Sequence, residues 1–178
     1  TLAFSGFTPN FESPTGGVDN DSNTYLVEIT ATDNGTGSLT DVETVSVTVI
    51  SANEAPVITN GDTDTASVAE NQTSAIDVDH TDADSNVITY TISGGADAAK
   101  FDIVGSTGVV TFKAAPNFEA NASAGGDNDY VIVVTATDNG TGTLADSQTI
   151  TISVTDGNDA PVISSSSTAN AAENQTSA

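Results

Sequence analysis

Almost every side chain in this sequence that could do chemistry is an oxygen donor. Asp and Glu together number 25, against two basic residues, Lys100 and Lys113, a single histidine, His80, and no cysteine. A Ser-His-Asp hydrolase would need His80 beside an activated serine. No Gly-x-Ser-x-Gly elbow occurs, and the polar stretch around His80 reads as solvated surface. Paired-carboxylate glycoside hydrolysis stays open chemically, but with acids this abundant no particular pair stands out. No catalytic residue is assigned, and the chain reads as a non-enzyme.

The formal net charge of −23 excludes nucleic acid as a partner, because phosphate binding draws on Lys and Arg. It disfavours anionic membrane surfaces for the same reason. A charge of this size opposes compaction unless cations offset it, so bound metal, high salt or both are implied. A marine or halophilic solubility adaptation is the competing explanation. Without cysteine no disulfide can help, so extracellular stability would rest on the apolar core and bound ions. The low aromatic content points to a core of Val, Ile, Leu and Phe. No apolar run reaches membrane-spanning length. No signal peptide is visible, and the sequence reads as an excerpt that starts inside a structural unit.

The carboxylates sit in a repeat. Ala31-Thr32-Asp33-Asn34-Gly35-Thr36-Gly37 returns unchanged 105 residues later as Ala136 to Gly142, and 16 of the 28 positions from Ala31 to Ile58 match Ala136 to Ile163 without a gap. Pro9-Asn10-Phe11-Glu12 returns as Pro116-Asn117-Phe118-Glu119, and Glu70-Asn71-Gln72-Thr73 as Glu173-Asn174-Gln175-Thr176. A period near 100 suits a complete small domain better than a solenoid coil. The expected division is the rear half of one unit in residues 1–52, a complete unit in 53–158, and the start of a third in 159–178.

The elements that must position these acids read as strands. Short alternating runs separated by Gly, Asn, Asp and Ser predict strands over Pro56–Thr59, Ser74–Asp79, Val87–Ile92, Lys100–Val104, Val109–Lys113, Tyr130–Thr137 and Gln148–Thr155. Helix signals are missing. About seven strands per unit, rich in β-branched residues, fit an all-β chain of tandem Greek-key β-sandwiches of immunoglobulin-like type. In the first unit Tyr25–Thr30 and Val42–Ile50 are the rear strands, with Leu26, Val45, Val47 and Val49 expected on one apolar face. Ser51 to Pro56 and Asp156 to Pro161 each end in Asn-acidic-Ala-Pro. Proline fixes its own φ and biases the preceding residue toward extended backbone, so these joints should be short and stiff.

Several of these segments together resemble the cadherin family, and in particular its bacterial cadherin-like relatives in large surface adhesins. Ala69-Glu70-Asn71 resembles the Pro-Glu-Asn motif near a cadherin domain's start, and Asp82-Ala83-Asp84 the Asp-Ala-Asp motif after the second strand. Asp156-Gly157-Asn158-Asp159-Ala160-Pro161 resembles the Asp-x-Asn-Asp-Asn-x-Pro linker, one residue shorter. Asn117-Phe118-Glu119 stands in place of Asp-Arg-Glu, and Asp138 matches the Asp near the end of the sixth strand. The resemblance implies Ca2+ at each joint. The upstream joint would draw on Asn10, Glu12, Asn53, Glu54, Asp82, Asp84 and Asp138, and the downstream joint on Glu70, Asn117, Glu119, Asp156, Asn158 and Asp159. Calcium takes 6–8 oxygens of these types. Asn10 and Asn117 replace an expected Asp, and Ser51 stands where the second linker has Asp156, so the upstream joint carries less charge. Ordinary turn chemistry is the other reading of single segments such as Asp33-Asn34-Gly35 and Asp138-Asn139-Gly140.

The function this implies is a calcium-stiffened structural spacer, a stalk or filament segment of an extracellular bacterial cell-surface or secreted adhesin. The alternative is a carbohydrate- or protein-binding adhesive module. Expected partners are neighbouring repeats of the same chain or a neighbouring identical chain, with a polysaccharide or cell surface as a further candidate. The sequence is expected to continue at both ends, or a neighbouring chain to complete the half-sandwich. Sugar stacking would favour exposed aromatic platforms, whereas Tyr25, Tyr90 and Tyr130 are needed within strands.

Overall fold

The structure is a computed structural model that describes residues 3–19, 21–164 and 173. Most of the expected third unit, residues 159–178, therefore lies outside the described residues. The rest is built from strands. Residues 1–52 contribute β1 (Thr24–Thr32) and β2 (Thr40–Thr48). Residues 53–158 contribute β3 (Val57–Ile58), β4 (Thr63–Ala69), β5 (Ser74–Asp77), β6 (His80–Thr81), β7 (Thr89–Gly94), β8 (Phe101–Ile103), β9 (Val109–Phe112), β10 (Asp129–Thr137) and β11 (Ala145–Thr155). Among the described residues the only helical segments are two single 3-10 turns, Ala98–Lys100 and Phe118–Ala120.

The long strands form where residues alternate. Tyr130, Ile132, Val134 and Ala136 of β10 and Ile150, Ile152 and Val154 of β11 are buried, and the residues between them face outward. The main sheet runs β4-β11-β10-β7, with β5-β9-β8 and the short pair β3-β6 alongside. Apolar side chains from all of these but β6 fill one core. Phe112 meets Tyr130 edge-on at 5.2 Å and Phe101 meets it at 6.0 Å, contacts worth about 0.5–1.5 kcal/mol each beyond their burial. Among the described residues leucine takes no part in this core: Leu26, Leu39 and Leu144 are all exposed, and Tyr90 and Tyr130 join the Val, Ile and Phe side chains.

Residues 53–158 hold nine strand segments rather than about seven. β4 escaped the periodicity reading because it is a polar edge strand in which only Val68 is buried, held by parallel pairing with β11 from Thr63↔Thr149 to Ala69↔Thr155. The expected run Ser74–Asp79 stops at Asp77 because the chain changes partners. Val78 N–H turns to the Gly108 carbonyl (3.2 Å), and β6 then pairs with β3. Gly108 sits at φ +79°, where a Cβ would overlap the Val78 carbonyl and come within 3.2 Å of the Tyr90 ring. His80 is half-buried rather than solvated. Its Nδ1 lies 2.6 Å from Tyr90 Oη.

In the first unit β1 and β2 pair antiparallel, with Tyr25 opposite Val47 and Val27 opposite Val45. Strand period two therefore places Tyr25 and Val27 with Val45 and Val47. Leu26, opposite Ser46, goes to the other face and is 58% exposed, contrary to expectation. Phe4 and Phe7 pack on Tyr25 at 4.9 and 5.8 Å, and beside them lies an open hollow of about 130 Å3.

Candidate metal centres at the two joints

At the upstream joint three carboxylates converge from three different stretches of chain. Glu12 comes from the loop before β1, Glu54 from the linker between β2 and β3, and Asp84 from the turn after β6. Oxygens of all three lie within 4.8 Å of one another. Asp84 is fixed by the Glu54 backbone N–H, which donates to Oδ2 at 2.9 Å. Ser51 Oγ lies 3.0 Å from Asp84 Oδ1 and 3.4 Å from Glu12 Oε1, so the hydroxyl bridges these two carboxylates. Glu54 feels the crowding. Desolvation first, then the charges of Glu12 and Asp84, a hydrogen bond with Asp84 and the charge of Asp82 hold its carboxyl above the usual value.

A second group adjoins the first. Asn53 Nδ2 donates to Asp138 Oδ2 (2.8 Å), and Asn53 Oδ1 accepts from Asn86 Nδ2 (2.7 Å). Asp82 Oδ1 accepts the Asn86 backbone N–H (2.8 Å), whereas Asp82 Oδ2 is buried without a hydrogen-bond partner. Asp138, 4% exposed at the end of β10, spends Oδ1 on the N–H groups of Gly140 (3.1 Å) and Leu144 (3.0 Å). Asn139 Oδ1 accepts from Val87 N–H (3.0 Å) and ties this loop to the start of β7. Asn10 stays exposed. Its Oδ1 accepts Ser13 N–H (2.8 Å) in a local turn, outside the carboxylate triad.

At the downstream joint Glu70 is buried at the end of β4 with both oxygens engaged. Oε2 accepts Phe118 N–H (2.9 Å) and Oε1 accepts Gly157 N–H (2.7 Å). These two backbone bonds, Phe118 first, pull its carboxyl below the usual value against the opposing effect of burial. Glu70, Glu119 and Asp156 bring oxygens within 4.8 Å of one another. Asn117 Oδ1 caps the 3-10 turn that presents Glu119, accepting Ala120 N–H at 2.8 Å. Asn158 and Asp159 are exposed and stand outside this triad.

Several positioning residues escaped the sequence reading. Asn86 lies two residues beyond Asp84, after Ser85 at φ +58° turns the chain back. Asn128 Nδ2 holds the Phe118 carbonyl (2.8 Å), and Asn23, 105 residues earlier, holds the Phe11 carbonyl at the same distance. Each anchors the loop that carries Glu119 or Glu12, and the repeat spacing was the signal that could have found them.

A calcium ion with oxygens at 2.3–2.6 Å spans roughly 4.6–5.2 Å between ligands on opposite sides, and both triads fall within that span. The donor set is all oxygen, and the buried, unpartnered Asp82 Oδ2 is an acceptor that lacks a positive counterpart. The residues present therefore fit a hard divalent cation.

A cadherin domain family model matches residues 64–155. Human Protocadherin Fat 1 is 35% identical over 150 residues, which covers 80% of this chain and 3% of that protein. The structure of Protocadherin Gamma B7 extracellular cadherin domains 1–4 superposes with a TM-score of 0.61 at 26% identity, over 77% of this chain and 33% of that one. The Protocadherin GammaB4 extracellular domain gives 0.56 at 29% identity, over 77% and 21%. The chain thus spans a small share of each relative.

Proposed function

Because this chain belongs to the cadherin family, whose domains are extracellular adhesion modules that typically bind calcium, we propose that it is a calcium-stiffened spacer in the stalk of a surface or secreted adhesin. Its units are residues 1–52, 53–158 and 159–178. The observation that carries this reading is the convergence of Glu12, Glu54 and Asp84 from the first unit, the linker and the second unit. A cation there supplies the positive charge that lets the three carboxylates stay together. Neutralising charges from separate units ties those units to one another, so a hinge becomes a rod. Glu12, Glu54 and Asp84 would hold one ion, and Asn53, Asp82 and Asp138 a neighbouring one, with Asp84 close to both. Downstream, Glu70, Glu119 and Asp156 would play the same role toward the next repeat, joined by Asn117, Asn158 and Asp159.

The relatives found are animal proteins; a bacterial source rests on the abbreviated linkers and the acidic, cysteine-free composition. The partner surface is apolar. Phe4, Val27 and Val47 around the hollow of the first unit fit the strands of a neighbouring repeat or of a second chain. A polysaccharide is the weaker partner, since Tyr25, Tyr90 and Tyr130 are all buried and leave no tyrosine platform. No helix among the described residues is long and apolar enough to cross a membrane.

Small-angle scattering during a calcium titration tests the spacer. The expected result is an increase in maximum dimension and loss of interdomain flexibility as calcium is added. An unchanged scattering profile would remove the basis of this function.

A further inference from the structure

Gly140 belongs to the sequence Ala-Thr-Asp-Asn-Gly-Thr-Gly that both units carry unchanged, and its surroundings explain why the position holds no side chain. A Cβ built there would overlap the Oδ1 and Cγ atoms of Asn53 and lie 2.9 Å from Nδ2. Its φ is outside the left-handed region, so an alanine there is compatible with the backbone and meets only a steric obstacle. The obstacle is the linker side chain that bonds Asp138 with one end and Asn86 with the other. The counterpart in the first unit, Gly35, has no such neighbour: a Cβ there meets only its own Asp33 carboxylate, at 3.6–3.8 Å. Yet the Asp33 loop has the same internal bonds as the Asp138 loop. Asp33 Oδ1 accepts Gly35 N–H at 3.1 Å and Leu39 N–H at 3.0 Å, as Asp138 Oδ1 does from Gly140 and Leu144 at 3.1 and 3.0 Å. The two loops thus share the same internal bonds.

We propose that this seven-residue loop is a seat for the linker asparagine, and that Gly140 is a positioning residue whose missing side chain lets Asn53 reach Asp138 and so align the joint. The inference rests on the calcium-joint reading for its binding consequence, but the seat itself exists without an ion. A methyl group on Gly140 forces Asn53 out of its place and breaks its bonds to Asp138 and Asn86 together. The side chains that surround the Asp82 and Asp138 carboxylates then lose their common alignment. Partners that orient metal ligands in this way typically change affinity by about 10- to 100-fold.

The test uses the full 178-residue chain and calcium chloride. Calorimetric titration compares wild type, Gly140→Ala, Gly35→Ala, Asn53→Ala and the Gly140→Ala/Asn53→Ala double variant. The side-chain amide resonances of Asn53 are followed by NMR in chelator. Gly140→Ala is expected to weaken upstream calcium binding by about 10-fold or more, Gly35→Ala to leave it within about twofold, and Gly140→Ala to add nothing once Asn53 is gone. In chelator, Gly140→Ala should shift the Asn53 amide resonances to values of an unbonded side chain. Wild-type affinity in Gly140→Ala, or an equal further loss on the Asn53→Ala background, overturns the inference. If the wild type binds no calcium, the calcium reading fails separately. The Asn53 resonances still decide the seat: unshifted in Gly140→Ala, they refute it.

Discussion

Asp138 does two jobs with two oxygens, and two substitutions separate them. Oδ1 closes the loop by taking the N–H groups of Gly140 and Leu144, while Oδ2 faces Asn53 in the joint. Asp138→Ala strips both N–H groups of their acceptor. An orphaned buried donor costs about 1–3 kcal/mol, and because Gly140 and Leu144 are partly exposed the lower end applies. The loss is then about 2–3 kcal/mol for the pair, before any effect of calcium. For a domain of about 100 residues, where 1 kcal/mol moves the midpoint by about 4–8 °C, the chelated variant should melt roughly 10–20 °C below wild type. Asp138→Asn keeps an oxygen for the same two N–H groups, so in chelator it should lie within about 1 kcal/mol of wild type. Its amide nitrogen meets the Asn53 nitrogen, donor against donor, and one ligand charge is gone, so its calcium affinity should fall as far as that of Asp138→Ala. Scanning calorimetry in chelator and calorimetric calcium titration give the two readouts. If Asp138→Ala melts like wild type in chelator, or Asp138→Asn binds calcium like wild type, this division of labour is wrong.

Removing calcium at fixed ionic strength should lower the melting temperature and loosen the Asn53 to Pro56 joint while the core sandwich stays folded; protease cleavage at the joint compared with the body of the unit reads this directly. Asp84→Ala should cost calcium sites in calorimetric titration because Asp84 touches the linker and lies beside Glu12. Asp62→Ala, at an exposed residue ahead of β4, should titrate like wild type. Two acids should give opposite pH responses in chelator. Glu70 is held below its ordinary 4.5, so its stabilisation is present above pH 4.5 and disappears as pH falls through the lower folded value. Glu54 is held above 4.5, so its contribution is complete below pH 4.5 and is lost as pH rises through the higher folded value. Melting curves of Glu70→Gln and Glu54→Gln against pH should each lack the corresponding limb.

The sandwich was legible wherever a strand is buried on one face, since alternation such as Ile150, Ile152, Val154 against Thr149, Thr151, Ser153 follows directly from that burial. It was illegible in β4, whose place depends on main-chain pairing to β11 and hardly on its own side chains. The face assignment of Leu26 failed because hydrophobicity alone chose it, whereas the pairing of Tyr25 with Val47 fixes the parity of the whole strand. Acidic motifs identified the stretches that meet at the joints, because their order survives in the repeat. What the motifs did not contain was the reach between distant stretches. Ser51 between Glu12 and Asp84, Asn86 on Asn53, and the space that Gly140 leaves for Asn53 are all relations across 30 or more residues. Each involves a residue type that a loop would accept anyway.

The parallel pairing of β4 with β11 bears on how a unit answers to tension. The chain enters β4 at Thr63 and leaves β11 at Thr155, and since the two strands run the same way, these points lie at opposite ends of the paired ribbon. A pull on the two ends of the unit drags the strands past each other along their length. All the hydrogen bonds from Thr63↔Thr149 to Ala69↔Thr155 then share the load at once, whereas an antiparallel hairpin pulled from its open end would lose its bonds singly, in sequence. Ahead of this clamp the chain is held by the short pairing of β3 with β6, by Ile58 N–H on Asp146 Oδ2 and by Gln148 Nε2 on the Thr59 and Gly61 carbonyls. The polar edge strand that the residue pattern concealed is thus the one loaded in shear when the two ends are drawn apart.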